Sequence, residues 1–243
     1  MNRSVQTVDD VMELLDLLFA EQADRWTARA GADWWDRFYA DRDRPVPFFR
    51  SAPDESLVAW HTEGRLAVGP GTRVLELGCG PGRNAVWFAQ QGAEVDALDL
   101  SGAALDWARE RAQEAGVSVR FAQSDIFAWP DGREPYDVVY DSGCFHHLPP
   151  HRRISYRALL ESMVRPGGSF ALACFAAGAM GSEAPDADLY REGGLGGGLA
   201  YSDDELRHTF GWLDEVELRR MRDYPDDSPV FGEPFLWAGL FRR

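Results

Sequence analysis

Val74-Leu75-Glu76-Leu77-Gly78-Cys79-Gly80-Pro81-Gly82 is a short apolar run interrupted by one acid and followed by three glycines spaced two apart. The run suits a buried parallel strand, and the segment from Asn84 to Gln91 suits a helix. Glycines at a strand-to-helix turn let a ligand reach the backbone, because no Cβ stands in the way. The helix N-terminus below them offers N–H groups to an anionic end of that ligand. A dinucleotide fingerprint would need its third glycine at position 83, where the chain has Arg83. The ligand is therefore expected to be nucleotide-like but held by a different turn.

Apolar strand runs and helical runs alternate outward from this stretch, from about 72 to 175. The expected strands are 73–77, 94–98, 118–122, 136–141 and 169–175. Arg165-Pro166-Gly167-Gly168 punctuates the approach to the fifth. A Gly-rich segment from Gly178 to Gly198 follows. Ser202-Asp203-Asp204-Glu205 then forms a capping box that should start a helix through Phe210. Runs 213–221 and 235–241 read as a closing strand pair. Ahead of the sheet, Val8, Val11, Met12, Leu15, Leu18 and Phe19 have helical spacing, which predicts an amphipathic helix within 8–29 packed on the domain. Trp34-Trp35-Asp36-Arg37-Phe38-Tyr39 and Pro45-Val46-Pro47-Phe48-Phe49 form an aromatic, proline-bearing stretch after it. The expected fold is α/β, a doubly wound and mostly parallel seven-stranded sheet with an antiparallel closing strand and an N-terminal helical cap. Residues 1–65 are the cap and substrate-side segment, 66–243 the ligand-binding domain, and the two form one compact unit.

At 243 residues the chain is long enough for a full core. Its net charge is −15, and all 25 basic residues are arginine. With no lysine, Schiff-base chemistry on pyridoxal phosphate is excluded. So acidic a chain repels phosphate backbones, which argues against a nucleic-acid partner. Cys79, Cys144 and Cys174 form no C-x-x-C pair, so reduced thiols are expected rather than disulfides or a zinc site. The N-terminus carries Asp9 and Asp10, and Asp16 interrupts its apolar stretch. It therefore reads as neither a signal peptide nor a membrane span. These features predict a cytoplasmic protein without a membrane or metal partner, either a monomer or a homodimer.

Two further acids fall at strand ends. Asp99 stands 23 residues after Glu76 in Ala97-Leu98-Asp99-Leu100-Ser101, placed either to accept ribose hydroxyls or to cap the following helix. After the third strand, Gln123-Ser124-Asp125-Ile126 offers a carboxylate for an exocyclic amine and an apolar side chain for a ring. Strand four runs through Tyr140 and Asp141 into Ser142-Gly143-Cys144-Phe145-His146-His147-Leu148. In open α/β sheets the ligand lies over the carboxyl ends of the strands, so this loop faces the reactive centre.

In this order the motifs from about 72 to 241 resemble the class I S-adenosylmethionine (SAM)-dependent methyltransferases, with a Rossmann-like sheet. Within that class the chain resembles most the branch of thiopurine and tellurite-resistance methyltransferases. Gly82-Arg83-Asn84 resembles the tellurite type, and the 140–148 loop, Tyr156, Pro166-Gly167-Gly168 and the aromatic 34–49 stretch resemble the thiopurine type. The resemblance implies SAM as cofactor and S-adenosylhomocysteine (SAH) as product. It implies that Glu76 positions the first motif, and that Gly78, Cys79, Gly80 and Asn84 approach the methionine portion. Asp99, Leu100 and Ser101 would hold the ribose, Asp125 and Ile126 the adenine, and Asp141 and Ser142 the region beside the sulfonium. Arg37 would either clamp the SAM carboxylate or stand as a surface arginine, and Trp34, Trp35, Phe48 and His146 would hold the acceptor.

Methyl transfer needs an in-line nucleophile about 3 Å from the methyl carbon, so alignment and exclusion of water supply much of the acceleration. A hydroxyl or carbon-acid acceptor also needs a general base, whereas a thiol needs little more than a proton sink. His147 and His146 are the candidate catalytic residues, and both can equally cap the turn and pack. An Asn/Asp-Pro-Pro-aromatic sequence after strand four would mark a nucleic-acid amine acceptor, and Asp141-Ser142-Gly143-Cys144 lacks it. Ala176-Ala177-Gly178 after strand five lacks the Asp-Asn pair of magnesium-dependent catechol enzymes. The expected function is methyl transfer to a small-molecule acceptor in bacterial secondary metabolism. The alternatives are detoxifying S-methylation of thiols or metalloids, and a non-catalytic SAM-binding scaffold.

Overall fold

The computed structural model describes residues 5–19, 31–129 and 132–243. Seven strands make one sheet: β1 (Arg73–Leu77), β2 (Glu94–Asp99), β3 (Arg120–Gln123), β4 (Tyr136–Ser142), β5 (Val164–Phe175), β6 (Asp214–Arg220) and β7 (Leu236–Arg242). Their spatial order is β3-β2-β1-β4-β5-β7-β6. The first five strands run parallel, and β7 runs antiparallel to both β5 and β6. The expected fold class therefore stands. From β1 the chain winds one way to β2 and β3, then returns to lay β4 and β5 on the other side. The carboxyl ends of β1 and β4 flank this reversal, where such sheets open a ligand crevice.

Strand periodicity divides the core. Val74, Val95, Ala97, Val138 and Tyr140 face one layer, and Leu75, Leu77, Leu98, Val139 and Phe170 face the other. The first layer is covered by α3 (Glu55–Thr62), α4 (Arg83–Gln90) and α5 (Gly102–Glu114), through Leu57, Trp60, Phe88 and Leu105. The second is covered by α6 (Arg152–Met163) and α8 (Asp203–Phe210), through Leu159, Leu160, Leu206 and Phe210. Ser202 and Glu205 form the expected capping box at the start of α8.

Three expectations need correcting. The third strand is Arg120–Gln123 rather than 118–122, because its register is fixed by pairing with Asp96–Asp99 of β2. The fifth begins at Val164, ahead of the Pro-Gly-Gly, with a register break opposite Tyr136 and Val138. The N-terminal helix α1 spans Val8–Leu17, and the rest of the expected 8–29 helix lies largely outside the described residues. Its apolar side chains do not pack as predicted: Val8 and Val11 are exposed, and no residue within it is buried. The anchoring comes from just beyond and from its polar side. Phe19 is buried edge-on to Tyr190, and Asp16 is bonded to His151 Nε2 at 2.6 Å and Arg152 Nε at 2.9 Å.

Helix α2 (Gly31–Ala40) packs on α5 and is followed by a 3₁₀ turn at Pro47–Phe49. The Gly-rich 178–198 segment contains α7 (Asp186–Glu192) and is tied back by bridges from Ala176 to Tyr201 and from Ser182 to Leu199.

Candidate active site

One cavity of ≈ 410 Å³ opens over the ends of β1 and β4. Its floor is the turn after β1. Gly78 and Gly80 have φ of +63° and +51°. A Cβ at Gly78 would sit 2.9 Å from Cys144 Cβ, and one at Gly80 3.0 Å from the Tyr39 hydroxyl. Both positions require glycine, for the conformation and for the space.

Three acids line the floor, and their surroundings differ. Asp99 accepts from Gly80 N at 2.7 Å and Ser101 N at 2.8 Å, while burial pushes its carboxyl up to about 6. Asp125 accepts from Phe127 N at 2.8 Å, and burial raises its carboxyl too. Glu76 is 2% exposed, and its Oε2 has no hydrogen-bond partner. Burial pushes the Glu76 carboxyl up to about 8; the neighbouring Arg83 works against this and Asp54 adds to it.

The floor rests on residues that motif reading passed over. Asp54, just before α3, is fully buried. It pairs with Arg83 Nη1 at 2.5 Å and accepts from the Tyr140 hydroxyl, from Ser142 Oγ at 2.8 Å and from Asn84 Nδ2 at 3.2 Å. Arg83 also donates to Ser142 Oγ at 3.1 Å and stacks over Phe231.

The opposite wall is aromatic. On α2, Trp34, Trp35, Phe38 and Tyr39 share the face turned to the cavity, at positions i, i+1, i+4 and i+5. Trp34 stacks on Phe38, and Phe38 on Phe48. His146 and His147 enter from the turn after β4. His146 is buried, lies flat on Phe175 at 3.7 Å, and its Nδ1 accepts from Phe175 N at 3.3 Å. With Nδ1 accepting, the neutral ring carries its proton on Nε2. His147 meets Trp35 edge-on at 5.2 Å. Burial raises the thiols of Cys79 and Cys144, which keeps both protonated.

Of the residues singled out from sequence, the cavity gathers Trp34, Trp35, Phe48, Glu76, Gly78, Cys79, Gly80, Asn84, Asp99, Leu100, Asp125, Ile126, Ser142, His146 and His147. Three lie elsewhere. Arg37 falls on the exposed back of α2, since four of its neighbours occupy the cavity face. Ser101 is buried as the N-cap of α5 and donates to Asp36 at 2.6 Å. Asp141 points to the other side of β4 from Tyr140 and Ser142. There it accepts from the backbone of Cys144 and Phe145 and from the Tyr156 hydroxyl at 2.6 Å, so it shapes the loop from behind. Phe38 and Tyr39 were readable from helical spacing after Trp34 and Trp35. Arg83 was read only as a missing glycine, and nothing in the sequence marked Asp54, Phe175 or Phe231.

Among the described residues no cluster of His, Cys, Asp and Glu could hold a metal ion, and no helix is long and apolar enough to cross a membrane.

Residues 74–168 match the family described as Methyltransferase domain. An uncharacterised methyltransferase of Synechocystis sp. is 36% identical over 107 residues, which is 44% of this chain and 49% of the relative. The chain spans about half or less of the length of the curated relatives it matches. A protein whose structure was solved in work on converting a disulfide bond into a thioacetal group in echinomycin biosynthesis superposes with a TM-score of 0.65. It is 24% identical, with 87% of this chain and 92% of that one covered. TehB from Haemophilus influenzae superposes with a TM-score of 0.56 at 16% identity, covering 87% and 66%, which makes the tellurite-type branch a distant neighbour. Sheet order and the solved neighbours show a Rossmann-like methyltransferase fold, and residues 74–168 carry the matched methyltransferase segment. Two solved neighbours of this fold, both structures of magnesium protoporphyrin IX methyltransferase from Synechocystis, hold SAH and SAM respectively.

Proposed function

We propose that this chain transfers the sulfonium methyl of SAM to a small-molecule acceptor lying against the aromatic wall, leaving SAH. The observation that carries the reading is that the strand-end acids and the aromatic cap meet in one cavity. The residues present fit the cofactor: Gly78 and Gly80 leave the turn bare of Cβ atoms, and Glu76 keeps an unpartnered buried oxygen. Asp99 would accept the ribose hydroxyls, Asp125 and Ile126 would hold the adenine, and Glu76 the methionine ammonium. Arg83, a cation at the cavity edge held in place by Asp54, would meet the SAM carboxylate, the role first considered for Arg37. The cofactor supplies a methyl group already activated by the sulfonium charge.

The protein's own work is alignment, exclusion of water and removal of one proton. Residues 1–65, as the cap, would close the acceptor side, with Trp34, Trp35, Phe38 and Phe48 sandwiching a flat molecule. His147 is the candidate proton acceptor, because the Nδ1 lone pair of His146 already serves the Phe175 amide. His146, flat on Phe175, would instead help hold the acceptor. A place in natural-product tailoring is supported by the neighbour from echinomycin biosynthesis. The second reading, S-methylation of a thiol, is favoured by the apolar wall, since a thiol ionises with little help. Free cysteines support a reducing, cytoplasmic setting.

Calorimetry tests the core of the proposal. SAH should bind at about micromolar affinity or better, roughly −8 kcal/mol, and NADH should not bind. Asp99→Ala should weaken SAH by about 1–3 kcal/mol, because a buried hydroxyl pair loses its acceptor. Unchanged affinity in that variant would remove Asp99 from the site.

A further inference from the structure

Glu76 and Tyr140 are register partners on the adjacent strands β1 and β4, so their side chains emerge side by side on one face of the sheet. Four other polar groups close around them: Asp54 from the segment before α3, Arg83 and Asn84 from the start of α4, and Ser142 from the end of β4. The Cys79 thiol completes the set at the turn. Every member is buried or nearly so, and Glu76 and Arg83 both border the cavity.

Arg83 is the one cation in this set, and Asp54 holds it. The Asp54 carboxylate is fully buried yet richly bonded, with a guanidinium, two hydroxyls and an amide around it. Asp54, and not Glu76, is the carboxylate paired with Arg83. Glu76 is thereby left without a cation of its own, and with one oxygen that nothing in the folded chain satisfies. A buried carboxyl in that position is held neutral until a cation enters the cavity.

We infer that Asp54 is a positioning residue for the cofactor: by engaging Arg83 it leaves Glu76 to receive the ammonium group of SAM, and Glu76 gives up a proton to solvent as it does so. This rests on the methyltransferase reading above and adds to it a residue outside the matched segment and a countable proton. The balance is simple. The neutral carboxyl loses H⁺ to the buffer, the carboxylate pairs with the incoming ammonium, and no other bond changes. Burial raises the Glu76 carboxyl to about 8 in the unliganded protein, so near pH 7 most molecules carry that proton. Asp99, raised to about 6, is already mostly ionised there and contributes little.

The experiment is SAH titration by calorimetry at pH 6.5 and 7.0, in buffers of different ionisation heat, which counts protons released per SAH bound. At these pH values the α-ammonium of SAH stays charged. The wild-type protein should release close to one proton, and its affinity should rise several-fold per pH unit between 6 and 7. Glu76→Gln should release almost none and show a flat pH profile. Asp54→Asn should release clearly fewer protons than wild type, because the unpaired Arg83 charge would already ionise Glu76 in the free protein. A purely structural role for Asp54 would weaken binding equally at each pH and leave the count at one, which overturns the assignment. Wild-type binding with no proton released, or a Glu76→Gln count equal to wild type, overturns it as well. No SAH binding at all would sink the methyltransferase reading together with this inference, so the two failures are distinguishable.

Discussion

Glu76, Gly78, Gly80 and Asp99 come from two adjacent parallel strands and the turns that end them. Trp34, Trp35, Phe38 and Phe48 come from a helix and a 3₁₀ turn ahead of the sheet. The first group is fixed by backbone: ladder pairing sets Glu76 and Asp99, and positive φ sets the glycines. The second is fixed by ring stacking, with Trp34, Phe38 and Phe48 face to face in sequence. Backbone geometry tolerates little change, whereas stacked rings can be exchanged for other apolar side chains at modest cost. The floor can thus stay constant for one cofactor while the wall is refitted to a new acceptor. Substitutions should accordingly separate into those that move cofactor affinity and those that move acceptor turnover.

The largest effect should fall where floor and wall meet. With a hydroxyl or carbon-acid acceptor, His147→Ala should cut the single-turnover rate by roughly 10²–10⁴ while SAH affinity barely moves. With a thiol acceptor the same variant should keep most of its rate, and a fully active His146/His147 double alanine variant would leave catalysis to alignment alone. Next in size is the wall itself. Phe38→Ala should raise the acceptor KM about tenfold or more, through loss of about 1.5–3 kcal/mol of ring burial. Its SAH affinity should stay within about twofold. A matched fall in SAH affinity would mean that wall and floor act as one unit.

A smaller, pH-dependent effect belongs to the floor. A buried carboxyl raised in the folded state favours folding while it stays protonated, and that advantage is lost as pH climbs from the unfolded value towards the folded one. For Glu76 the loss runs up to about pH 8. The unliganded protein should therefore lose up to about 1 kcal/mol per pH unit between 6.5 and 8, roughly 2–4 °C in Tm each. Glu76→Gln should flatten this slope, and saturating SAH should reduce it. An equally steep slope in the variant would assign it to other groups. The smallest effect should come from Arg37→Ala, on the exposed side of α2. SAH affinity unchanged within about twofold would confirm its distance from the site, and a tenfold loss would put it back.

Much of the floor was legible in the sequence, because its determinants are local. A strand, a glycine turn and a helix start follow one another within a dozen residues, and the acid ending the next strand falls at a set distance. Parity along the strand was harder to read. Asp141 and Ser142 were assigned to one region, yet successive strand residues face opposite layers, and Asp141 braces the loop through Tyr156 instead. For Arg37, which the sequence left open between the site and the surface, helical rotation turns the side chain away from the aromatic face. The apolar spacing of the first helix was real, yet its anchor is the Asp16 ion pair and Phe19.

By itself the sequence determined the class of sheet, the order of its ligand-binding turns and the identity of the acids at the strand ends. These rest on periodicity, glycine conformation and short-range spacing, which operate within a few residues. Tertiary structure alone decided that Asp54 lies beneath Arg83, that Phe175 occupies the Nδ1 of His146, and that Glu76 is left with an unpartnered oxygen. Each of these joins segments about thirty residues apart or depends on how completely water is shut out. Burial and charge pairing at that range arise only once the chain has packed.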